Sequence, residues 1–342
     1  MLTGRCGGVD AGRFLAWPIR PLLCVPAAPT GALPMLAIPP DFQNPDFAIG
    51  NSHAVDLAHA GQGNWRAFRA LGLSLPEVME IARGWGRAFA GIDRPWLCWH
   101  VDPEWSLVQQ RLVASVGWTP VVGFDPRAGA PRHAIRQAVV IDFNRDLGLP
   151  VLYPHFPLEF MFLFGRRLAF WHSDLLLREE VMRTAAAHFA RLQDGETTAV
   201  KGWAGWRAML TTRRRRYWEL LGCTTAGASR DQFEKGCGWW MSYAAHPNQT
   251  DGARIRRRYY WDHGAGIYYW HRARGGRFRL LDDRRYDEGH FTKIGNPEYR
   301  RYREPGSNSD ARRLMSAEIR ENFDLVRACR ALGLESVLQA SD

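Results

Sequence analysis

Between residues 74 and 192 short apolar runs alternate with stretches of helical periodicity, and this alternation most narrows the folds open to the chain. Ser74-Leu75-Pro76-Glu77 reads as an N-cap with proline in the first turn of a helix reaching Phe89. Pro95 to Val101 is an apolar run of strand length. Asp102-Pro103-Glu104 opens a second helix through Val116, with Leu107, Val108, Leu112 and Val113 at helical spacing. Thr119 to Phe124 and Ala138 to Phe143 read as strands, and Pro157 to Phe164 as a short helix. Arg167 to Trp171 reads as a fourth strand and Arg178 to Leu192 as an amphipathic helix. Strands that are apolar along their whole length are buried on both faces, which predicts an α/β fold with a mostly parallel sheet flanked by helices. In such sheets ligands bind beyond the carboxyl ends of the strands. Those ends carry acids here: Asp102, Asp125, Asp142 and Asp174.

Outside this region the texture changes. Residues 1–45 are rich in Pro, Gly and Ala, with Asp10 as their only acid before Asp41. Their apolar stretch Leu22 to Val25 is too short for a secretory core. A disordered leader and a start at Met35 fit this composition equally well. Residues 46–200 form the α/β half. Residues 201–342 crowd aromatic, Gly and Arg residues together and read as a second, irregular lobe, closed by a helix from Glu318 to Leu332. Tyr259 to His271 reads as two aromatic runs joined at Asp262-His263-Gly264 by a hairpin or tight loop.

No apolar run approaches the ~18–20 residues of a spanning helix. Six scattered cysteines with no CxxC pair favour a reducing compartment, so a cytoplasmic location is expected. Cys223, Cys237, His246 and His263 match no compact zinc spacing. The net charge of +10 favours anionic partners, and arginine clusters at 213–216, 254–258 and 300–303 suit phosphate oxygens. The P-loop, GxGxxG, GxSxG and HExxH patterns are all missing from the sequence.

Four segments carry groups suited to chemistry. The first is the run Leu168 to Asp174, an apolar strand ending in His172-Ser173-Asp174, where a carboxylate facing the crevice can hold a divalent cation. Its helix–strand order, ending in x-x-Asp, resembles the nucleotide-binding half of GT-A glycosyltransferases over residues 94–178. In that family the corresponding strand ends in Asp-x-Asp and holds Mn2+ or Mg2+ on the donor pyrophosphate. Here His172 replaces the first acid, so the resemblance carries over cleanly only onto Asp174, with His172 as a further ligand. The second segment, Glu288 to Gly295, is similar to a late histidine element of retaining GT-A enzymes. It implies His290 as a metal ligand and Lys293 as a diphosphate contact.

The third segment runs from Trp218 to Trp240. Trp239 and Trp240 would form a sugar platform, and Glu219, Asp231 and Glu234 are candidates for the general base on an acceptor hydroxyl. Large aromatics also pack in cores, so burial is the competing expectation for the tryptophans. The fourth segment offers Asp262 and His263 to a substrate. Asp102 and Asp125 would contact the nucleotide from their strand tips.

Three readings stay open. The first is a metal-assisted glycosyltransferase acting on a nucleotide-sugar donor and a carbohydrate acceptor. The second is a nucleic-acid-binding or nucleic-acid-processing protein, suggested by Arg256-Arg257-Arg258-Tyr259-Tyr260-Trp261. The third is a non-catalytic carbohydrate-binding protein of degenerate transferase fold.

Overall fold

The computed structural model describes residues 75–100, 102–124, 126, 128–148, 152, 157–158, 166–201, 217–235, 237–239, 264–282, 284–290 and 325–340. Its first elements follow the local signals closely. Helix α1 spans Leu75–Phe89, strand β1 Pro95–His100, helix α2 Pro103–Ser115 and strand β2 Thr119–Phe124. Asp102 starts α2: its Oδ1 accepts the N–H groups of Glu104 at 3.1 Å and Trp105 at 3.0 Å, and Pro103 fills the first turn where no N–H is needed. Strand β3 is Val139–Val140, shorter than the 138–143 run suggests. Its end is set by Asp142, whose Oδ1 accepts the Asn144 N–H at 2.9 Å and turns the chain. Strand β4, Arg167–Trp171, and helix α3, Glu179–Ala190, follow as expected.

Past residue 190 the chain is more regular than its composition implies. Strand β5 is Glu196–Lys201, β6 Tyr217–Thr225 and β7 Arg277–Leu281. Helix α4 is Ala226–Glu234 and α5 Ala265–Ala273; α6, Leu325–Leu332, and α7, Glu335–Gln339, come last. The aromatic run Ile267 to His271 is therefore helical, where a hairpin was expected. Ile267 and Trp270, three residues apart, are both buried on one helix face. Gly264 opens this helix at φ 76°, and a Cβ there would lie 1.8 Å from the Tyr217 carbonyl oxygen, so the position demands glycine.

Among the described residues, seven strands form one sheet in the order β3-β2-β1-β4-β6-β5-β7. Strands β1, β2, β3 and β4 pair in parallel, as do β5 and β7. Strand β6 runs antiparallel to both neighbours, β4 and β5. The α/β class and the mostly parallel sheet are as expected. The segment assigned to an irregular lobe, however, contributes β6 and β7 to the same sheet.

Side-chain alternation divides the core between the two faces. On one face Trp96, fully buried, meets Trp118, Trp171 and Phe189 at centroid distances of 5.4, 5.3 and 5.1 Å, beneath α2 and α3. Leu325, Cys329 and Leu332 of α6 belong to the same cluster. On the other face Trp99 stacks on Phe143, which Trp85 of α1 meets edge-on, and Phe170 meets Trp239 edge-on. Among the described residues, no helix is long and apolar enough to cross a membrane.

Candidate metal centre

Strand β4 delivers its last residue, Trp171, to the carboxyl edge of the parallel strands, and the chain leaves the ladder at His172. The His172 N–H still donates to the Leu220 carbonyl of β6 at 3.0 Å. Gln109 of α2, fully buried, donates through Nε2 to the carbonyls of His172 at 3.0 Å and Leu175 at 2.9 Å, clamping the turn between them. The segment Gly289–His290 closes over this turn. Leu176 N–H donates to the Gly289 carbonyl at 3.0 Å, and Leu175 forms an antiparallel bridge with His290. A Cβ on Gly289 would stand 1.7 Å from the Leu176 carbonyl oxygen, so the approach of these two backbones requires glycine here.

These supports bring His172, Asp174 and His290 together. Each offers one ligand atom, and those atoms all lie within 4.8 Å of one another. Asp174 stands between the imidazoles, with Oδ1 at 3.5 Å from His172 Nδ1 and Oδ2 at 3.3 Å from His290 Nε2. Two ligand atoms each about 2.1 Å from a shared ion would be roughly 3.0–3.4 Å apart, so these separations suit a common cation. Asp174 Oδ1 is buried without a hydrogen-bond partner, which gives the donor set a second mark of a ligand site. Asp174 and His172 retain 17% and 25% side-chain exposure against 7% for His290. Trp218 covers it from another direction, its ring 5.2 Å from that of His290 and 6.4 Å from that of His172.

The electrostatics follow from this crowding. Burial alone would push the His172 imidazolium down, but the Asp174 and Glu219 carboxylates outweigh it and raise its pKa to about 9. Burial would push Asp174 up, yet the flanking His290 and His172 hold its carboxyl well below the usual range. An ionised carboxylate between two imidazoles is a donor set that binds divalent transition ions.

The other residues singled out in the sequence divide sharply. Glu219, expected to face an acceptor, is 2% exposed on β6, with Oε1 3.6 Å from His172 Nε2, and so stands beside the His172–Asp174–His290 cluster. Asp231 ties α4 to α5, its carboxylate accepting from Lys235 Nζ at 2.8 Å and Trp270 Nε1 at 2.6 Å. Glu234 lies exposed on α4, which leaves β6 at the edge where β4 begins, the edge away from His172. Trp239 is a correction. It is 2% exposed, packed against Phe170 and directed at Thr224 Oγ1, so it presents no ring face to a sugar. Asp102 caps α2. Asp125, Trp240, Asp262, His263 and Lys293 lie outside the described residues, as do the three arginine clusters. Cys223 and Cys237 are buried free thiols, with burial pushing Cys223 up to about 12.

Sequence reasoning did not find Gln109 or the partnership of Glu219 with His172. A fully buried glutamine on the apolar face of α2 was the available signal for the first. The second depends on β6 lying beside β4, which no local pattern specifies. Set against known proteins, the chain matches no family model, no curated protein and no solved structure.

Proposed function

We propose that this protein is a metal-assisted glycosyltransferase that moves a sugar from a nucleotide-diphosphate donor. The observation that carries the reading is the His172–Asp174–His290 cluster at the end of β4. It stands at the carboxyl edge of parallel strands, where open α/β sheets bind their ligands. Asp174 and His172 also keep part of their side chains exposed, which suits an ion that would share its coordination between protein and phosphate oxygens. Two imidazole nitrogens and one carboxylate favour Mn2+ or a similar transition ion over Mg2+, which prefers oxygen ligands and retains its water.

When bound, such an ion supplies charge neutralisation to the departing diphosphate. The chain does the rest. Asp174, His290 and His172 would hold the ion at the tip of β4, where it would meet the diphosphate. Gln109 fixes the turn that carries His172 and Asp174, and the close approach of Gly289 to Leu176 joins it to the segment of His290, so the donor set is organised before ligand arrives. Trp218, edge-on to both histidines, limits water around them.

The test is calorimetric titration with UDP, GDP and CDP, with and without Mn2+, on the wild type and Asp174→Ala. Metal-dependent binding of one nucleotide, lost in the variant, is expected. Binding of none under either condition overturns the reading. Salt-sensitive binding of RNA or DNA without metal would instead favour a nucleic-acid role.

A further inference from the structure

We propose that Glu219 is a positioning residue of this centre: its carboxylate, in ion-pair contact with the Nε2 edge of His172, takes the Nε2–H when a metal binds, so that Nδ1 is the atom presented to the metal. The inference rests on the metal-centre reading above and adds which histidine nitrogen binds and what selects it. The two ring nitrogens of His172 face two different carboxylates. Nδ1 is 3.5 Å from Asp174 Oδ1, and Nε2 is 3.6 Å from Glu219 Oε1. Nδ1 is therefore the ring nitrogen that faces the carboxylate shared with His290.

Glu219 is fixed in place by the sheet. It precedes Leu220, whose carbonyl accepts the His172 N–H at 3.0 Å, so the β4–β6 register sets it beside the histidine. Strand β6 is itself locked between β4 and β5, and Glu219 is 2% exposed. A carboxylate withdrawn this far from water is disfavoured unless a cationic or donating partner meets it, and the imidazole edge is such a partner. Ligand histidines commonly give their other N–H to a carboxylate, which fixes tautomer and ring plane and strengthens the ligand nitrogen.

The experiment uses the full chain as wild type, Glu219→Gln and Glu219→Leu, titrated with Co2+ and followed by its visible absorption, with circular dichroism as the check on folding. The Gln side chain keeps an acceptor oxygen for Nε2–H, so its affinity should stay within roughly threefold of wild type, with the same spectrum. The Leu side chain has no acceptor, and its affinity should fall about 10–100-fold with an altered spectrum. Equal affinity and spectrum in all three proteins overturns the proposal. So does a Gln variant as impaired as the Leu variant, because Glu219 would then act as a ligand itself. Nitrogen NMR of labelled histidine in the wild type with Zn2+ gives a result that needs no variant. A protonated Nε2 with a metal-bound Nδ1 supports the assignment, and the reverse tautomer overturns it. A wild type that binds none of Co2+, Mn2+ or Zn2+ refutes the metal centre itself, which is a different outcome from a wild type that binds while the Leu variant binds as well.

Discussion

Raising the pH of the metal-free protein from about 6.5 to about 9 should remove roughly 2–3 kcal/mol of folding stability. The source is His172. Its pKa is about 9 in the folded chain against the ordinary 6.5, because Asp174 and Glu219 overcome the effect of burial. A group whose pKa is raised by folding adds stability that is fully present below its unfolded value and is lost as pH climbs to the folded one. Across that window the unfolded chain releases the proton while the native chain keeps it. The slope is about 1.4 kcal/mol per pH unit, or roughly 3 kcal/mol over the whole interval. Partial exposure of the ring trims this toward 2 kcal/mol.

Among the described residues, few other groups with a resolved shift intrude on the window. Asp174 titrates far below it, and the lowered pKa values of His100 and His188 act as pH falls below 6.5. The buried thiols Cys98 and Cys223 act only above their ordinary value of 9.0. Urea unfolding at the two pH values, with a constant denaturant slope, reads the difference directly. His172→Gln serves as the control and should show little pH dependence over this range. A wild type equally stable at both values, or a His172→Gln protein with an undiminished slope, would refute the reasoning. The same proton must leave before Nδ1 can bind an ion, so Mn2+ affinity should rise by up to tenfold per pH unit below about 9.

Gly289→Ala should destabilise the chain by about 1–3 kcal/mol and abolish Mn2+ binding, because the new Cβ drives the segment off Leu176 and carries His290 away from Asp174. An unchanged Mn2+ titration would show that the close backbone approach is not needed for the site. Trp96→Ala, which empties the centre of four packed aromatic rings, should cost about 3–5 kcal/mol in urea unfolding. A loss below about 1 kcal/mol would mean that this face of the core is not packed as described. Asp102→Ala should cost about 1 kcal/mol through the lost cap of α2 while leaving nucleotide affinity intact, and a marked fall in that affinity would return Asp102 to the ligand contacts expected from its strand-tip position.

What could be read locally was read well because its causes are local. The cap at Asp102, proline in the first turn of α2, and the apolar run of β2 depend on neighbours a few residues away, and the observed bounds of these elements match the expected ones. The ending of β4 in His172-Ser173-Asp174 belongs to the same class, since an apolar strand that turns polar marks its own tip. Where the reading failed, a distant partner decided. The Tyr268-Tyr269-Trp270 run has high β-propensity, yet it is helical because one face of α5 is buried, with Ile267 and Trp270 inside. Trp239 became core because Phe170 on the neighbouring strand offers it an edge-on partner.

The candidate site divides along the same line. By itself the sequence determined that a carboxylate and a histidine would stand at a strand tip on the ligand-binding edge of an α/β sheet, and it singled out His290 as a third participant. Only the tertiary structure decided that His290 returns over a hundred residues later to meet Asp174, and that Glu219 stands behind His172. Strand order is chosen by which faces bury best together, a property of the assembled sheet. The insertion of antiparallel β6 between β4 and β5 is therefore written in no single segment, and it is this insertion that turns a strand tip into a four-residue cluster.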